Sequence, residues 1–303
     1  ARWTPRPPDP RPLAPRAHRT RSVVVTDEQR PSVITSVSNP LVREAAALTD
    51  ASERREQGRH LAEGPRVVAE ALAGAEVLLV LHAEGSESLG IEGASGAQLS
   101  GRAVRRVPVS ARVLERVATT VHPTGPVAVV ATPDVAAPVP ARGAVVVLDG
   151  VADPGNVGTL VRAADAFGAA AVVIVEGADP FSPKAVRASA GSCYHLPVLV
   201  RRDRAGALAE IAAGRPLLGL AADGGSSVLE AVLPEDVAIV VGNEAHGLHG
   251  ATRSALAGTL CVPMPGRAES LNAATAGAVA LFAVLVGGAG RGLGSGSSPE
   301  ETS

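Results

Sequence analysis

Three short stretches of the sequence each place glycine, an amide and a charge just after a strand-like apolar run. In "LDGVADPGNVGTLVRAADAFGA", 148–169, Gly155 and Gly158 permit a tight turn and Asn156 offers both a donor and an acceptor. Arg162 lies a turn and a half into the helix that follows. In "IVVGNEAHGL", 239–248, a strand ends at Gly242, where backbone can approach a ligand, and Asn243 and Glu244 come next. In "CVPMPGRAESLNAATAGAVALF", 261–282, two prolines and a glycine break the chain before Ser270 and Asn272 stand at the mouth of a helix of small residues. Ligands of open parallel sheets collect at the carboxyl ends of strands, so these groups could position and polarise a molecule bound there. Taken singly, the same residues read equally as a Pro-Gly turn with an Asn cap and a surface arginine, a Gly-Asn-Glu turn, and a Ser cap on an Ala-rich buried helix.

Other chemistries lack their signatures. There is no P-loop and no G-x-G-x-x-G turn, and Ser270 has no G-x-S-x-G elbow around it. His246 and His249 stand at i, i+3 without an acidic or cysteine cluster, so no metal site is expected.

The elements that must position these residues follow from periodicity. From Ala144 onward, "AVVVLDG", "AAVVIVE", "LPVLV", "PLLGLAA", "VAIVVG" and "TLCVP" are short continuous apolar runs with helices between several of them, including one over 156–167. That alternation predicts an α/β fold with a parallel sheet covered on both faces. Residues 32–131 read as a smaller α/β domain. Asn39 and Pro40 open a helix through about Ala51, 63–74 forms another stopped by Gly74, and Ser110 caps a third. Strands are expected at 77–81 and 127–131, with a Pro-rich linker at 132–143.

The tails differ in kind. Residues 1–31 contain seven Pro and seven Arg with almost no apolar periodicity, and 288–303 are Gly/Ser-rich, so both are expected to be flexible. Aromatic residues make up only 2% of the chain, which leaves Val, Leu and Ala to build the cores. The longest apolar run, Ala273 to Val286, is too short to cross a bilayer, and no signal peptide is expected. Cys193 and Cys261 are too few for a disulfide framework and are expected as buried thiols in a reducing cytosol. A net charge of −2 gives no support for a polyanionic partner, although residues 1–66 carry twelve Arg against eight Asp plus Glu.

Taken together and in order, the three stretches resemble the motifs of the SpoU/TrmH family of RNA 2′-O-ribose methyltransferases, within the SPOUT superfamily. The matches are N-x-G-x-x-x-R-x-A at 156–164, G-N-E-x-x-G-L at 242–248 and P-M-x-G-x-x-x-S-L-N at 263–272. Upstream, "SVSNPLVREAAALTDASERREQGRHLAEGPRVVAEAL" resembles the family's substrate-binding domain, of the type similar to a ribosomal protein of the large subunit. His60 to Ala62 depart from it, standing where the family carries a more apolar run.

The tail to residue 31 falls outside the resemblance, which implies an RNA-binding domain and linker over 32–138 and a SPOUT domain over 139–287 whose sheet is threaded as a deep trefoil knot. It implies a cytoplasmic homodimer that binds S-adenosylmethionine, with Gly242, Val262, Met264 and Leu271 lining the cofactor pocket. Arg162 is implied to act on the ribose 2′-hydroxyl. A guanidinium is a poor proton acceptor, so phosphate binding and alkoxide stabilisation suit it better. Asn156 and Glu244 would fix the loops, Glu244 pairing with Arg162 until RNA phosphate competes, while Ser270 and Asn272 orient loops and substrate. The implied substrate is structured RNA, ribosomal RNA ahead of transfer RNA, with no metal and no membrane. Methylation that protects a ribosome from an antibiotic is the same chemistry. A catalytically silent RNA-binding module and base methylation are the rival readings.

Overall fold

Asn39 accepts a hydrogen bond from the Leu41 amide at 3.0 Å, and Pro40 takes the first turn, so helix α1 (Pro40–Ala47) begins where the sequence places it. It does not run to residue 51. Asp50 accepts from the Ser52 amide at 2.7 Å and starts a second helix, α2 (Ala51–Gln57), which Gly58 ends in the left-handed conformation. The computed structural model describes residues 32–86, 104–120, 123, 125–222, 224–268 and 270–287. The tails expected to be flexible, 1–31 and 288–303, lie outside the described residues.

The remaining N-terminal elements are β1 (Arg59–Glu63), α3 (Pro65–Gly74), β2 (Val77–Ala83), β3 (Arg105–Val109), α4 (Ala111–Val117) and β4 (Val127–Ala131). They form a four-stranded sheet in the order β1-β4-β2-β3, with β2 and β3 parallel and the other pairs antiparallel. Strand faces alternate, so Leu61, Leu81, Val107 and Val109 meet Val42 of α1, Leu48 just past its end and Val113 of α4 in one core. Ser110 sits at the cap position of α4 but makes no capping bond, and its hydroxyl is buried without a partner among the described residues.

From residue 144 the chain builds β5 (Val145–Asp149), α5 (Pro154–Ala166), β6 (Ala171–Val175), α6 (Pro183–Ser189), a 3-10 turn (Ser192–Tyr194), β7 (Val198–Arg201), α7 (Arg204–Ala212), β8 (Leu217–Ala221), β9 (Ser226–Ser227), β10 (Ala238–Gly242), α8 (Gly250–Ala255), β11 (Gly258–Cys261) and α9 (Ala273–Leu281), which runs on as a π-helical turn (Phe282–Val286). Seven strands pair in parallel in the order β7-β6-β5-β10-β8-β11-β9. Every residue of β5 and β6 is buried. Val146, Leu148 and Ile174 pack with Leu160 of α5 and Leu281 of α9 on one face, and Val145, Val147 and Val173 pack with Leu208 and Ile211 of α7 on the other. Both faces are covered, which is why the strands read as unbroken apolar runs.

The two sheets are joined through buried polar contacts. His60 of β1 is fully buried, its ring nitrogens 3.2 Å from the Thr132 hydroxyl and 3.1 Å from the Tyr194 hydroxyl. Burial lowers its pKa to about 3, so the ring is neutral at physiological pH. The departure at His60 to Ala62 is therefore part of this joint. The 132–143 linker is bonded to the edge of the larger sheet, with the Val200 amide donating to Val135 and the Arg201 guanidinium to Ala137.

Candidate active site

Strand β5 ends on Asp149, a buried carboxylate. One oxygen accepts from Arg204 Nε at 2.8 Å and the other from the His249 amide at 3.1 Å. Arg204 also pairs with Glu176 at 2.7 Å. The next residue, Gly150, has φ +70° and offers its carbonyl to Asn243 Nδ2 at 2.8 Å. Asn243 and Gly247 exchange backbone hydrogen bonds at 2.9 Å, closing the loop after β10 on itself. A Cβ at Gly242 would stand 2.5 Å from the Gly247 carbonyl carbon. The loop's own closure therefore requires glycine there, whatever ligand approaches.

Glu244 extends from that closed loop to the loop after β5. It accepts from the backbone amides of Ala152 at 3.1 Å and Asp153 at 3.2 Å, and from Asn156 Nδ2 at 2.7 Å. Burial raises its pKa, but the bonds from Asn156 and these amides outweigh that and hold it below the usual carboxylate value. Because a carboxylate only accepts, Asn156 must turn its NH2 toward Glu244, which leaves its oxygen for Asn272 Nδ2 at 3.3 Å. Asn272 in turn caps α9, accepting from the amides of Ala274 at 2.9 Å and Thr275 at 3.2 Å. A chain of Glu244, Asn156 and Asn272 thus ties together the three stretches singled out in the sequence.

The glycines of the first stretch act differently from the expected turn. Both lie inside α5, which Asp153 caps while its other oxygen holds Lys184 at 2.8 Å. A Cβ at Gly158 would stand 2.2 Å from the Ala185 carbonyl oxygen, so this glycine lets α6 pack directly on α5. Gly277 has the same role for α9, since a Cβ there would meet Leu160 of α5 at 2.4 Å.

A cavity of about 310 Å³ opens beside these loops, lined by Gly242, Val262, Met264 and Leu271 together with Glu244 and Ser270. The four expected pocket residues share it. Ser270 is exposed, and the cap of α9 belongs to Asn272 instead. Arg162 does not line the cavity. It projects from α5 into solvent and makes no hydrogen bond or ion pair among the described residues. The expected pairing with Glu244 is absent, because backbone amides and Asn156 already occupy that carboxylate.

Four further residues singled out in the sequence resolve simply. His249 caps α8, accepting from the Ala251 amide at 3.2 Å, and His246 is exposed. Among the described residues no three His, Cys, Asp or Glu side chains stand together as metal ligands would, and no helix is long and apolar enough to cross a membrane. Cys193 is buried, which pushes its thiol up to about 11, whereas Cys261 is only half-buried, contrary to expectation. The residues that sequence reading misses are Asp149 and Arg204. The signal for Asp149 is an acid closing a run of buried valines, which demands a partner, but nothing in the sequence names Arg204 as that partner.

A doubly covered parallel sheet with three strand-end loops laced together beside one cavity defines an α/β domain that binds its ligand at the carboxyl ends of its strands. Residues 143–282 match the SpoU rRNA Methylase family, and residues 39–128 match the MRM3-like substrate binding domain. A solved RNA 2′-O ribose methyltransferase is 33% identical with a TM-score of 0.70, over 84% of this chain and 98% of that one. The SpoU methyltransferase AviRb of Streptomyces viridochromogenes, solved in complex with the cofactor AdoMet, is 26% identical with a TM-score of 0.71, over 82% of this chain and 98% of that one. The 23S rRNA (guanosine(2553)-2′-O)-methyltransferase RlmP of Bacillus subtilis is 41% identical over 140 residues, which is 46% of this chain. That match spans only 56% of RlmP, so the chain covers about half the length of such curated relatives. The chain belongs to the SpoU rRNA methylase family.

Proposed function

We propose that the protein methylates a ribose 2′-hydroxyl of ribosomal RNA, with S-adenosylmethionine as the methyl donor. The observation that carries this reading is the chain of Glu244, Asn156 and Asn272 beside a largely apolar cavity that Glu244 lines, with the unpartnered Arg162 outside it. The cavity chemistry fits the cofactor. Val262, Met264 and Leu271 offer apolar surface to an adenine ring, and among the described residues no cationic side chain lines the cavity to repel a sulfonium. Among the described residues the charged group that lines it is Glu244, held ionised.

When bound, the cofactor supplies an electrophilic methyl on sulfur. The protein's part is to align the acceptor oxygen and stabilise the charge that develops on it. Glu244, Asn156 and Asn272 hold the loops rigid, and Ser270 offers a free hydroxyl at the cavity mouth. Arg162 keeps its proton and takes the phosphate next to the target ribose, stabilising the developing alkoxide while the hydroxyl proton passes to that phosphate. Residues 139–287 carry the chemistry and residues 32–138 hold the RNA.

The protein acts in the cytoplasm as a homodimer. Val279, Phe282 and Val286 form an exposed apolar stripe at i, i+3, i+7, and Phe167 meets Phe282 edge-on at 5.5 Å, which suits a second copy. The C-terminal segment is threaded as a trefoil knot. Support for threading comes from β10 lying between β5 and β8 while α9 returns onto α5.

Incubation of total RNA with methyl-labelled cofactor, followed by mapping of the labelled nucleotide, tests the reading. The expected product is a 2′-O-methyl ribose in ribosomal RNA. Label on a base points to another chemistry, and label nowhere returns the protein to a silent RNA-binding module.

A further inference from the structure

A second cavity lies far from the methyl-transfer loops, at one end of the four-stranded sheet under α1. It encloses about 220 Å³, enough for one planar ring system. Its floor is apolar, formed by Leu41 of α1, Leu48 just past its end, and Leu78 and Leu79 of β2. Its rim is polar, with Gln57, Glu44, Arg59 and Arg105. Arg59 opens edge strand β1 and Arg105 opens the opposite edge strand β3, so the two guanidiniums span the sheet. By strand alternation both share the face of Leu61 and Val107, which is the face α1 covers.

The arginines differ sharply from their neighbour Arg54. That side chain is buried, with bonds to Asp179 at 2.6 and 2.8 Å and to the Leu48 and Thr49 carbonyls at 2.9 Å. Arg59 and Arg105 are exposed and have no hydrogen bond or ion pair among the described residues. Free guanidiniums over an apolar pit suit a ligand that is flat and apolar on its face, polar at its edge, and anionic along its backbone. An unstacked nucleotide in single-stranded RNA has all three properties.

We propose that this pit seats one unstacked nucleotide of the RNA substrate. The base lies on the leucine floor, its edge meets Gln57 and Glu44, and its flanking phosphates meet Arg59 and Arg105. Gln57 donates to Glu53 at 2.9 Å, which leaves its oxygen free to accept from a base. The inference rests on the RNA-methylation reading and adds a second point of grip, which would let the protein select a folded RNA by the distance between two exposed nucleotides.

The test uses the full chain with cofactor bound, its leucine methyls labelled for NMR. The four nucleoside 5′-monophosphates are added in turn, with ribose 5-phosphate as a control lacking a base. The expected result is saturable shifts at Leu41, Leu48, Leu78 and Leu79 with the nucleotides and none with ribose 5-phosphate. In parallel, Arg59→Gln and Arg105→Gln should each weaken binding to the mapped RNA about fivefold and lower the salt slope by about 1, with cofactor affinity unchanged. Leucine methyls indifferent to all four nucleotides overturn the proposal, and so do glutamine variants that bind RNA as the wild type does. A changed oligomeric state in those variants with intact RNA affinity would make the pit a protein contact instead. Failure of the methylation reading looks different, since a wild type that shows the nucleotide shifts yet labels no RNA keeps the pit and loses the enzyme.

Discussion

Among the described residues most arginines around the larger sheet are bonded, whereas most around the smaller sheet are free, with Arg54 the clamped exception there. At the carboxyl ends of the larger sheet, Arg204 is locked between Asp149 and Glu176, and Arg201 is bonded to Glu210 and to the carbonyls of Val135, Ala137 and Val200. Around the smaller sheet, Arg43, Arg59, Arg105, Arg106 and Arg112 are exposed without an ion pair among the described residues. A clamped guanidinium fixes backbone, whereas a free one remains available to a phosphate. Arg162 is exceptional because it belongs to the larger sheet's set of helices yet is free, as those of the smaller sheet are. On the proposed function, that difference would separate groups that shape the active site from groups available to the RNA.

The largest expected effect breaks the clamp. Asp149→Ala leaves Arg204 without its buried partner and frees the His249 amide, so it should cost about 3–5 kcal/mol in urea unfolding. A cost below about 1 kcal/mol would show that the clamp does not hold the strand ends. Next is a steric comparison between the regions. Gly158→Ala forces a methyl into the Ala185 carbonyl and should cost about 1–3 kcal/mol, whereas Gly58→Ala meets nothing within 4 Å and should cost only about 1 kcal/mol for its left-handed backbone. Equal losses, measured by the same unfolding curve, would remove the claim that α5 and α6 touch through that glycine.

The smallest effect lies where the two regions meet. His195 stands 2.8 Å from Asp165 of α5 and 3.2 Å from Glu70 of α3. Burial pulls its pKa down, but the bonds from Asp165 and Glu70 outweigh it and hold the pKa above the ordinary histidine value. A raised folded-state pKa stabilises fully below the unfolded value near 6.5, and that stability is lost as pH rises through the folded value. The melting-temperature gap between wild type and His195→Gln should therefore be widest in mild acid and close at higher pH. A gap that widens toward alkaline pH would contradict the pairing.

The same contrast explains what could be read from sequence. The core strands of the larger sheet, β5, β6 and β10, are buried on both faces and show as continuous Val, Ile and Leu runs, so their places and the loops after them follow directly. The smaller sheet hides β1 behind Arg59, His60 and Glu63, and β3 behind two arginines and Pro108, because both are edge strands whose faces are not uniformly apolar. Asp50 carried a cap signal that divides α1 from α2, yet the Ala-rich run around it reads as one helix. At the site, Gly242, Val262, Met264 and Leu271 were legible through the family resemblance of two stretches, whereas Leu220, Ala221 and Ala222, which also line the cavity, lie outside all three. The pairing of Glu244 was not legible, since it depends on which donors the folded loops present, and Asp149 and Arg204 lie on different strand-helix units.

The most direct test returns to Arg162 and uses single-turnover methylation of the mapped RNA, with cofactor affinity measured alongside. Arg162→Ala should slow methyl transfer at least about a hundredfold, the scale for losing one preorganised charged group, while cofactor affinity stays the same because Arg162 is outside the cavity. Arg162→Lys should recover little, since lysine keeps the charge but loses the planar fork. Near-normal turnover by the alanine variant would contradict the account and make Arg162 an ordinary surface residue of α5.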